Sequence, residues 1–286
     1  MDVSLIGTGL MGHPMAVRLL AAGHRLSVYN RTREKALSLR DQGAEVAASP
    51  AAAIVASPVT VLMLKHAPAI RNLLYRGGAL PELSGRTILQ MSTIGPRESI
   101  ALMEEVRDAG GEYCEAPVLG SRPQAREGRL LIMVGATAEE FERWSGLLRC
   151  FGPEPRRVGE VGQAAALKLA FNQLIAGLAS AFALSLGMVR RQGIDVELFM
   201  EILRESALHA RMFDAKLPRM LARDFSDPNF PARLLAKDLD LVCAEAQALG
   251  LGAEPLEGVR AVLERTLAMG LGDGDYCGLY AAVDPA

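Results

Sequence analysis

Val3-Ser4-Leu5-Ile6-Gly7-Thr8-Gly9-Leu10-Met11-Gly12 decides how this chain is read: a short apolar strand runs straight into glycines spaced G-x-G-x-x-G. Such a turn lets backbone approach a pyrophosphate and aims unpaired helix N–H groups at it, because a Cβ at the tight positions would obstruct that approach. Three glycines alone also fit an ordinary glycine-rich turn. Here they follow a strand, open an amphipathic helix carrying Met15, Val17, Leu19 and Leu20, and return through Gly23 to a second strand, Leu26-Ser27-Val28-Tyr29. That context predicts a dinucleotide site built on Gly7, Gly9, Leu10, Met11 and Gly12.

The end of the second strand selects the dinucleotide. An acidic residue there would accept hydrogen bonds from a ribose 2′-hydroxyl, but the chain reads Asn30-Arg31-Thr32-Arg33, with no carboxylate before Glu34. A carboxylate repels a 2′-phosphate and a guanidinium clamps one, so NADP(H) is expected over NAD(H). The plainer alternative makes Arg31 and Arg33 a solvated helix start.

With 286 residues, 50% of them apolar and 22% charged, the chain can bury substantial cores and is expected to form two domains. A net charge of −2 without a sustained basic stripe argues against nucleic-acid binding. The pairs Arg156-Arg157 and Arg190-Arg191 read as solvated loop and helix-end charges. Cys114, Cys150, Cys243 and Cys277 form no C-x-x-C, so neither a metal site nor a redox dithiol is expected. A reducing cytoplasm is the simplest setting, and a strand starting at residue 3 leaves no room for a signal peptide ahead of it. His13, His24 and His209 have no partner visible in the sequence.

Up to about residue 155, β-like runs alternate with helical segments. Strands are expected at Val3–Ile6, Leu26–Tyr29, Val59–Leu64, Thr87–Met91, Glu112–Glu115 and Leu130–Val134, with a crossover helix over Arg97–Ala109. This α/β rhythm predicts a Rossmann-type doubly wound sheet followed by an all-α C-terminal domain. The expected domains are residues 1–160, binding NADP, and 161–286, helical, joined by a long interdomain helix over Gln163–Gln192. Within that helix Leu169–Val189 carries no charge, yet Asn172, Gln173, Ser180 and Ser185 interrupt it and Lys168 precedes it, which argues against a membrane span. So long an apolar helix needs a cover, and a homodimer or higher homo-oligomer is expected.

Lys168 and Asn172, four residues apart, share one face of that helix. A buried lysine with a depressed pKa could give a proton to a carbonyl oxygen or take one from an alcohol, with Asn172 orienting the reacting oxygen. From spacing alone the plainer reading is the stronger one: Lys168 snorkels from the helix start and Asn172 makes a structural hydrogen bond.

Four segments in order resemble the β-hydroxyacid dehydrogenase family, which includes 3-hydroxyisobutyrate dehydrogenases, tartronate semialdehyde reductases, and glyoxylate and succinic semialdehyde reductases. They are Ile6-Gly7-Thr8-Gly9-Leu10-Met11-Gly12-His13-Pro14-Met15-Ala16 with Asn30-Arg31-Thr32; Glu115-Ala116-Pro117-Val118-Leu119-Gly120-Ser121 with Ala125, Gly128, Leu130 and Met133-Val134-Gly135; Gly159-Glu160-Val161-Gly162 leading to Lys168 and Asn172; and Phe230, Lys237-Asp238-Leu239 and Gly272-Asp273-Gly274-Asp275. The resemblance implies an NADP-dependent oxidoreductase that interconverts a small β-hydroxyacid and its semialdehyde or keto form. It also implies that Lys168 is the general acid/base and that Asn172 orients the substrate. Leu119, Gly120 and Ser121 would bind substrate; Leu64, Thr93 and Lys237 would join the cofactor site. Ser92-Thr93, after the fourth expected strand, could also cap the helix that begins at Pro96.

Leu119 departs from the family's usual serine, whose hydroxyl helps bind a substrate carboxylate. Leucine cannot donate that bond, although Gly120 N–H, Ser121 and Arg122 could form an anion site with Lys237 approaching from the other domain. A bulkier or less polar aldehyde is therefore a plausible substrate. Ala164 and Gln173 also replace a glycine and an asparagine. Lys65-His66 replaces a usual pair and is given no chemistry. The alternatives are an imine reductase-like enzyme and a catalytically idle NADP-binding scaffold or redox sensor.

Overall fold

A computed structural model describes residues 1–285. The chain forms two compact units, residues 1–169 and residues 170 onward, dividing within one helix, Gln163–Arg191.

The first unit is built on nine strands: β1 (Asp2–Ile6), β2 (Arg25–Tyr29), β3 (Glu45–Val46), β4 (Val59–Leu62), β5 (Thr87–Gln90), β6 (Glu112–Glu115), β7 (Val118–Leu119), β8 (Leu131–Gly135) and β9 (Arg156–Gly159). Their order is β3-β2-β1-β4-β5-β6-β8-β7, with β9 also paired to β8. The six strands from β3 to β6 are all parallel, while β8 runs antiparallel to β6 and β7. Alternation along the strands fills a core on each face. Val3, Leu5, Val59, Val61 and Leu89 join one apolar cluster; Ile6, Leu62, Ile88 and Tyr113 join the other. The chain leaves β1 toward β2 on one side and returns through β4 on the other, so the carboxyl ends of β1 and β4 border the crevice where such sheets bind ligands.

The second unit is helical. The long helix buries Ala176, Ala179, Phe182, Ala183 and Leu186 against the helices Val196–Glu205, Arg211–Ala222, Ala232–Ala248 and Glu257–Ala268. Phe182 and Phe213 stack with ring centroids 4.5 Å apart. In the same unit Lys216 Nζ lies 2.8 and 2.9 Å from the two carboxylate oxygens of buried Asp275, which also accepts the Asn229 and Cys277 backbone N–H groups.

Several expectations need correction. Three strands were not foreseen: β3 and β7 have two residues each, and β9 begins on Arg156-Arg157, which pair with β8 rather than forming a loop. Arg157 Nε donates to the Ala136 carbonyl at 2.7 Å. Because β3 intervenes, Ser92-Thr93 follows the fifth strand. The helix they precede, Pro96–Asp108, has Gly95 as its N-cap, whose N–H donates to Glu98 at 2.8 Å, while the Ser92 hydroxyl is engaged by Leu64. Arg190 and Arg191 do end the long helix as exposed charges, and they pair there with Tyr280 and Asp284.

Candidate active site

Each glycine of the first loop answers a different steric demand. Gly7 has φ +102°, and a Cβ there would overlap the Met63 carbonyl; one at Gly12 would overlap the Gly7 carbonyl. These two residues close the turn between β1 and the helix Gly12–Ala21. At Gly9 a Cβ would meet nothing within 4 Å, so its bare backbone faces open space. The helix has no side-chain cap at its N-terminus and no acidic residue in its first turn; its His13 N–H turns back to the Gly9 carbonyl at 3.0 Å, and the positive end of the helix faces the loop. Thr8 Oγ1 is buried with no hydrogen-bond partner among the described residues. A pyrophosphate on Gly9, Thr8 and the helix start fits these features. Leu10 and Met11 line the same loop, exposed and half-buried respectively.

Asn30 ends β2 and braces the loop: its Oδ1 accepts the Thr8 N–H at 3.1 Å and its Nδ2 donates to the Thr32 carbonyl at 2.8 Å. Arg31 and Thr32 are exposed beyond it, and Arg33 is the N-cap of the helix Glu34–Arg40. At the neighbouring strand ends, Ser92 Oγ accepts the Leu64 N–H at 2.7 Å. Leu64 and Thr93 are half-buried there. His66 accepts the Ala69 N–H as a helix cap, while His13 pairs with Ser38 and His209 with Asp214.

Leu119 is half-buried in β7, paired with Leu131, and Gly120 follows with φ +131°. Both Ser121 donors, its N–H at 3.0 Å and its hydroxyl at 2.9 Å, turn to Gln124 Oε1. The expected anion-binding role of Ser121 thus competes with a local cap.

The long helix begins after Gly159-Glu160-Val161-Gly162, where Gly162 has φ +101° and Gln163 Oε1 accepts the Glu160 N–H. Lys168, one turn further, is only 8% exposed. Asn172 is 1% exposed, and its Nδ2 donates to Asp238 Oδ2 at 2.6 Å. Lys237 Nζ lies 2.6 Å from Asp238 Oδ1. Asn172 Oδ1 is buried without a partner among the described residues, an acceptor left for a ligand. Two carboxylates received no role from sequence: Asp238, which orients Asn172, and Glu115, whose Oε1 accepts N–H groups at the start of the long helix. Their signal was present only as acidic residues beside other motif positions, Lys237 and Ala116.

A glycine cradle at the switch point of a parallel sheet, followed by a helical unit, defines a dinucleotide-dependent oxidoreductase. Residues 2–162 match the NAD binding domain of 6-phosphogluconate dehydrogenase, and residues 162–283 match the NAD-binding domain of NADP-dependent 3-hydroxyisobutyrate dehydrogenase. The chain belongs to the β-hydroxyacid dehydrogenase family and is an NADP-dependent, 3-hydroxyisobutyrate dehydrogenase-like oxidoreductase. It is 32% identical to 2-hydroxy-3-oxopropionate reductase of Escherichia coli (strain K12), covering 99% of this chain and 97% of that one. It is 29% identical to glyoxylate/succinic semialdehyde reductase 1 of Arabidopsis thaliana, covering 99% and 98% respectively. In fold it resembles 3-hydroxyisobutyrate dehydrogenase of Mycobacterium tuberculosis bound to L-serine, with a TM-score of 0.88, 21% identity, and coverage of 99% and 98%.

Proposed function

We propose that this enzyme reduces a small semialdehyde or keto acid, or oxidises the matching β-hydroxyacid, with Lys168 as the proton donor and acceptor. Gly7, Gly9, Leu10, Met11 and Gly12 shape the pyrophosphate cradle, and Arg31 and Thr32 hold the 2′-phosphate on a loop braced by Asn30. Leu64 and Thr93, at strand ends bordering the crevice, flank the nicotinamide. The cofactor supplies a hydride to the carbonyl carbon when bound. As that carbon gains the hydride, the Lys168 ammonium gives its proton to the carbonyl oxygen, and solvent restores it. Asn172 orients the reacting oxygen through the amide that Asp238 holds.

The observation that carries this reading is a buried lysine one helical turn before a buried asparagine with an unmatched acceptor. An ammonium buried beside an amide acceptor is placed to exchange a proton with an oxygen seated between them. Lys168→Ala should lower kcat by about 100-fold or more while the NADPH dissociation constant holds. Near-normal turnover in that variant removes the role.

Leu119 and the Gln124-bound Ser121 leave fewer side-chain donors for a substrate carboxylate, so an uncharged aldehyde is tested beside the acids. Initial rates with glyoxylate, succinic semialdehyde, tartronate semialdehyde, an uncharged aldehyde and a cyclic imine rank the classes. A leading rate with the imine would favour the imine reductase-like alternative.

The long helix exposes Leu174, Leu178, Leu184 and Met188, the last at 62%. These lie near spacings of one and two turns and form an apolar stripe that a second copy of the chain would cover. It is also the one helix among the described residues long and apolar enough to cross a membrane. Its opposite face fills the core of the second unit, which favours a second copy over lipid as the cover of the stripe. Light scattering across a dilution series tests this, with a monomer at micromolar concentration as the adverse outcome.

A further inference from the structure

Glu115 ends β6, is fully buried, and its carboxylate accepts four hydrogen bonds. Its Oε1 accepts the backbone N–H groups of Gly162 at 2.7 Å, Ala164 at 2.9 Å and Ala165 at 3.2 Å. Those are donors that a helix leaves unpaired at its start. Its Oε2 accepts the Ser99 hydroxyl at 2.5 Å, and Ser99 in turn meets the Tyr113 hydroxyl at 2.9 Å. The carboxylate is thus fixed from both sides, and its charge faces the positive end of the longest helix in the chain. Across from it, a Cβ at Gly135 would overlap Oε1, so a bare backbone is required there.

We infer that Glu115 is a positioning residue for Lys168, setting the height and rotation of the helix turn from which the lysine projects. The inference rests on the proton-transfer reading of Lys168. In α-helical geometry the Lys168 N–H bonds to the carbonyl of Ala164, a residue whose own N–H Glu115 holds. The other end of the clamp is the sheet: Glu115 pairs with Gln90 of β5, the strand that leads directly into Ser92 and Thr93. One carboxylate therefore connects the strand end assigned to the nicotinamide with the helix that carries the amine. Burial pushes the Glu115 carboxyl above its usual range, against the opposing pull of Ser99 and the three backbone donors. A group held at that cost for capping alone could be replaced by an ordinary local cap such as serine.

The test compares Glu115→Ala, Glu115→Gln, Gly135→Ala and Lys168→Ala, each measured for kcat, KM, NADPH affinity by fluorescence titration, and thermal midpoint. Glu115→Ala should lose about 10- to 100-fold in kcat through misplacement of the amine, with NADPH affinity close to the parent value. Glu115→Gln keeps an oxygen for the three N–H groups and an amide for Ser99, and should recover most of the rate. Gly135→Ala leaves the carboxylate in place chemically but displaces it, and should follow Glu115→Ala. The inference is overturned if Glu115→Ala and Gly135→Ala bind NADPH normally and turn over at the parent rate. It is equally overturned if Glu115→Gln loses as much as Glu115→Ala. Should Glu115→Ala fail to bind NADPH, the Gln and Gly135 variants decide. Parent-like turnover of Lys168→Ala would instead remove the underlying reading.

Discussion

The Thr8 N–H donates to Asn30 Oδ1 at 3.1 Å, which ties the glycine loop after β1 to the loop after β2. An asparagine here serves both loops without adding charge. Asn30→Asp would keep an acceptor for Thr8 while placing an anion beside a 2′-phosphate. The ratio of kcat/KM for NADPH to that for NADH should fall by at least about tenfold, or roughly 1.4 kcal/mol. Steady-state kinetics with both cofactors measure it, and an unchanged ratio rejects the assignment.

Gly9 and Gly12 should respond differently to the same methyl group. Gly12→Ala forces a Cβ onto the Gly7 carbonyl and should cost about 1–3 kcal/mol or more of stability. Gly9→Ala meets no protein atom, so its thermal midpoint should barely move while NADPH affinity drops sharply. Calorimetry paired with cofactor titration separates the two.

The buried pair Lys216 and Asp275 makes a pH prediction. Burial raises the Asp275 carboxyl, but the Lys216 charge and its hydrogen bonds overcome that and hold it below the ordinary range. A depressed carboxylate contributes stability above its unfolded pKa and loses it as pH falls through the folded value. Lys216→Met should destabilise the second unit by about 3–5 kcal/mol near neutrality, because it leaves a buried charge unpaired. The gap from the parent should narrow on acidification, as followed by urea melts at several pH values.

Leu119→Ser restores a hydroxyl beside Gly120. The expected outcome is a lower KM for carboxylate-bearing aldehydes by about tenfold, a gain in line with a hydrogen bond to a charged group. An uncharged aldehyde should gain nothing, and equal gains for both would show that Leu119 only limits pocket size.

Five of the six parallel strands were legible because short runs of apolar and β-branched residues stand between turn-forming clusters, and the observed ends fall within two residues of those expected. β3 and β7 are too short for a period to register, and the arginines of β9 point to solvent, so no apolar signal marks that strand. Gly7, Gly9 and Gly12 were legible because spacing alone encodes a turn. Glu115 was not, since its partners are backbone N–H groups 47 to 50 residues away, which leave no trace in side-chain identity. Asp238 is hidden for a similar reason, meeting Asn172 across 66 residues.

A side chain at position 135 would occupy the volume that the Glu115 carboxylate fills, so a larger residue there demands a smaller one at position 115. A protein engineer who randomises the strand end while holding the glycine, or the reverse, should mostly retrieve the starting combination. Redesign of this corner has to vary both together, exchanging a shorter acid for the room that an alanine would take.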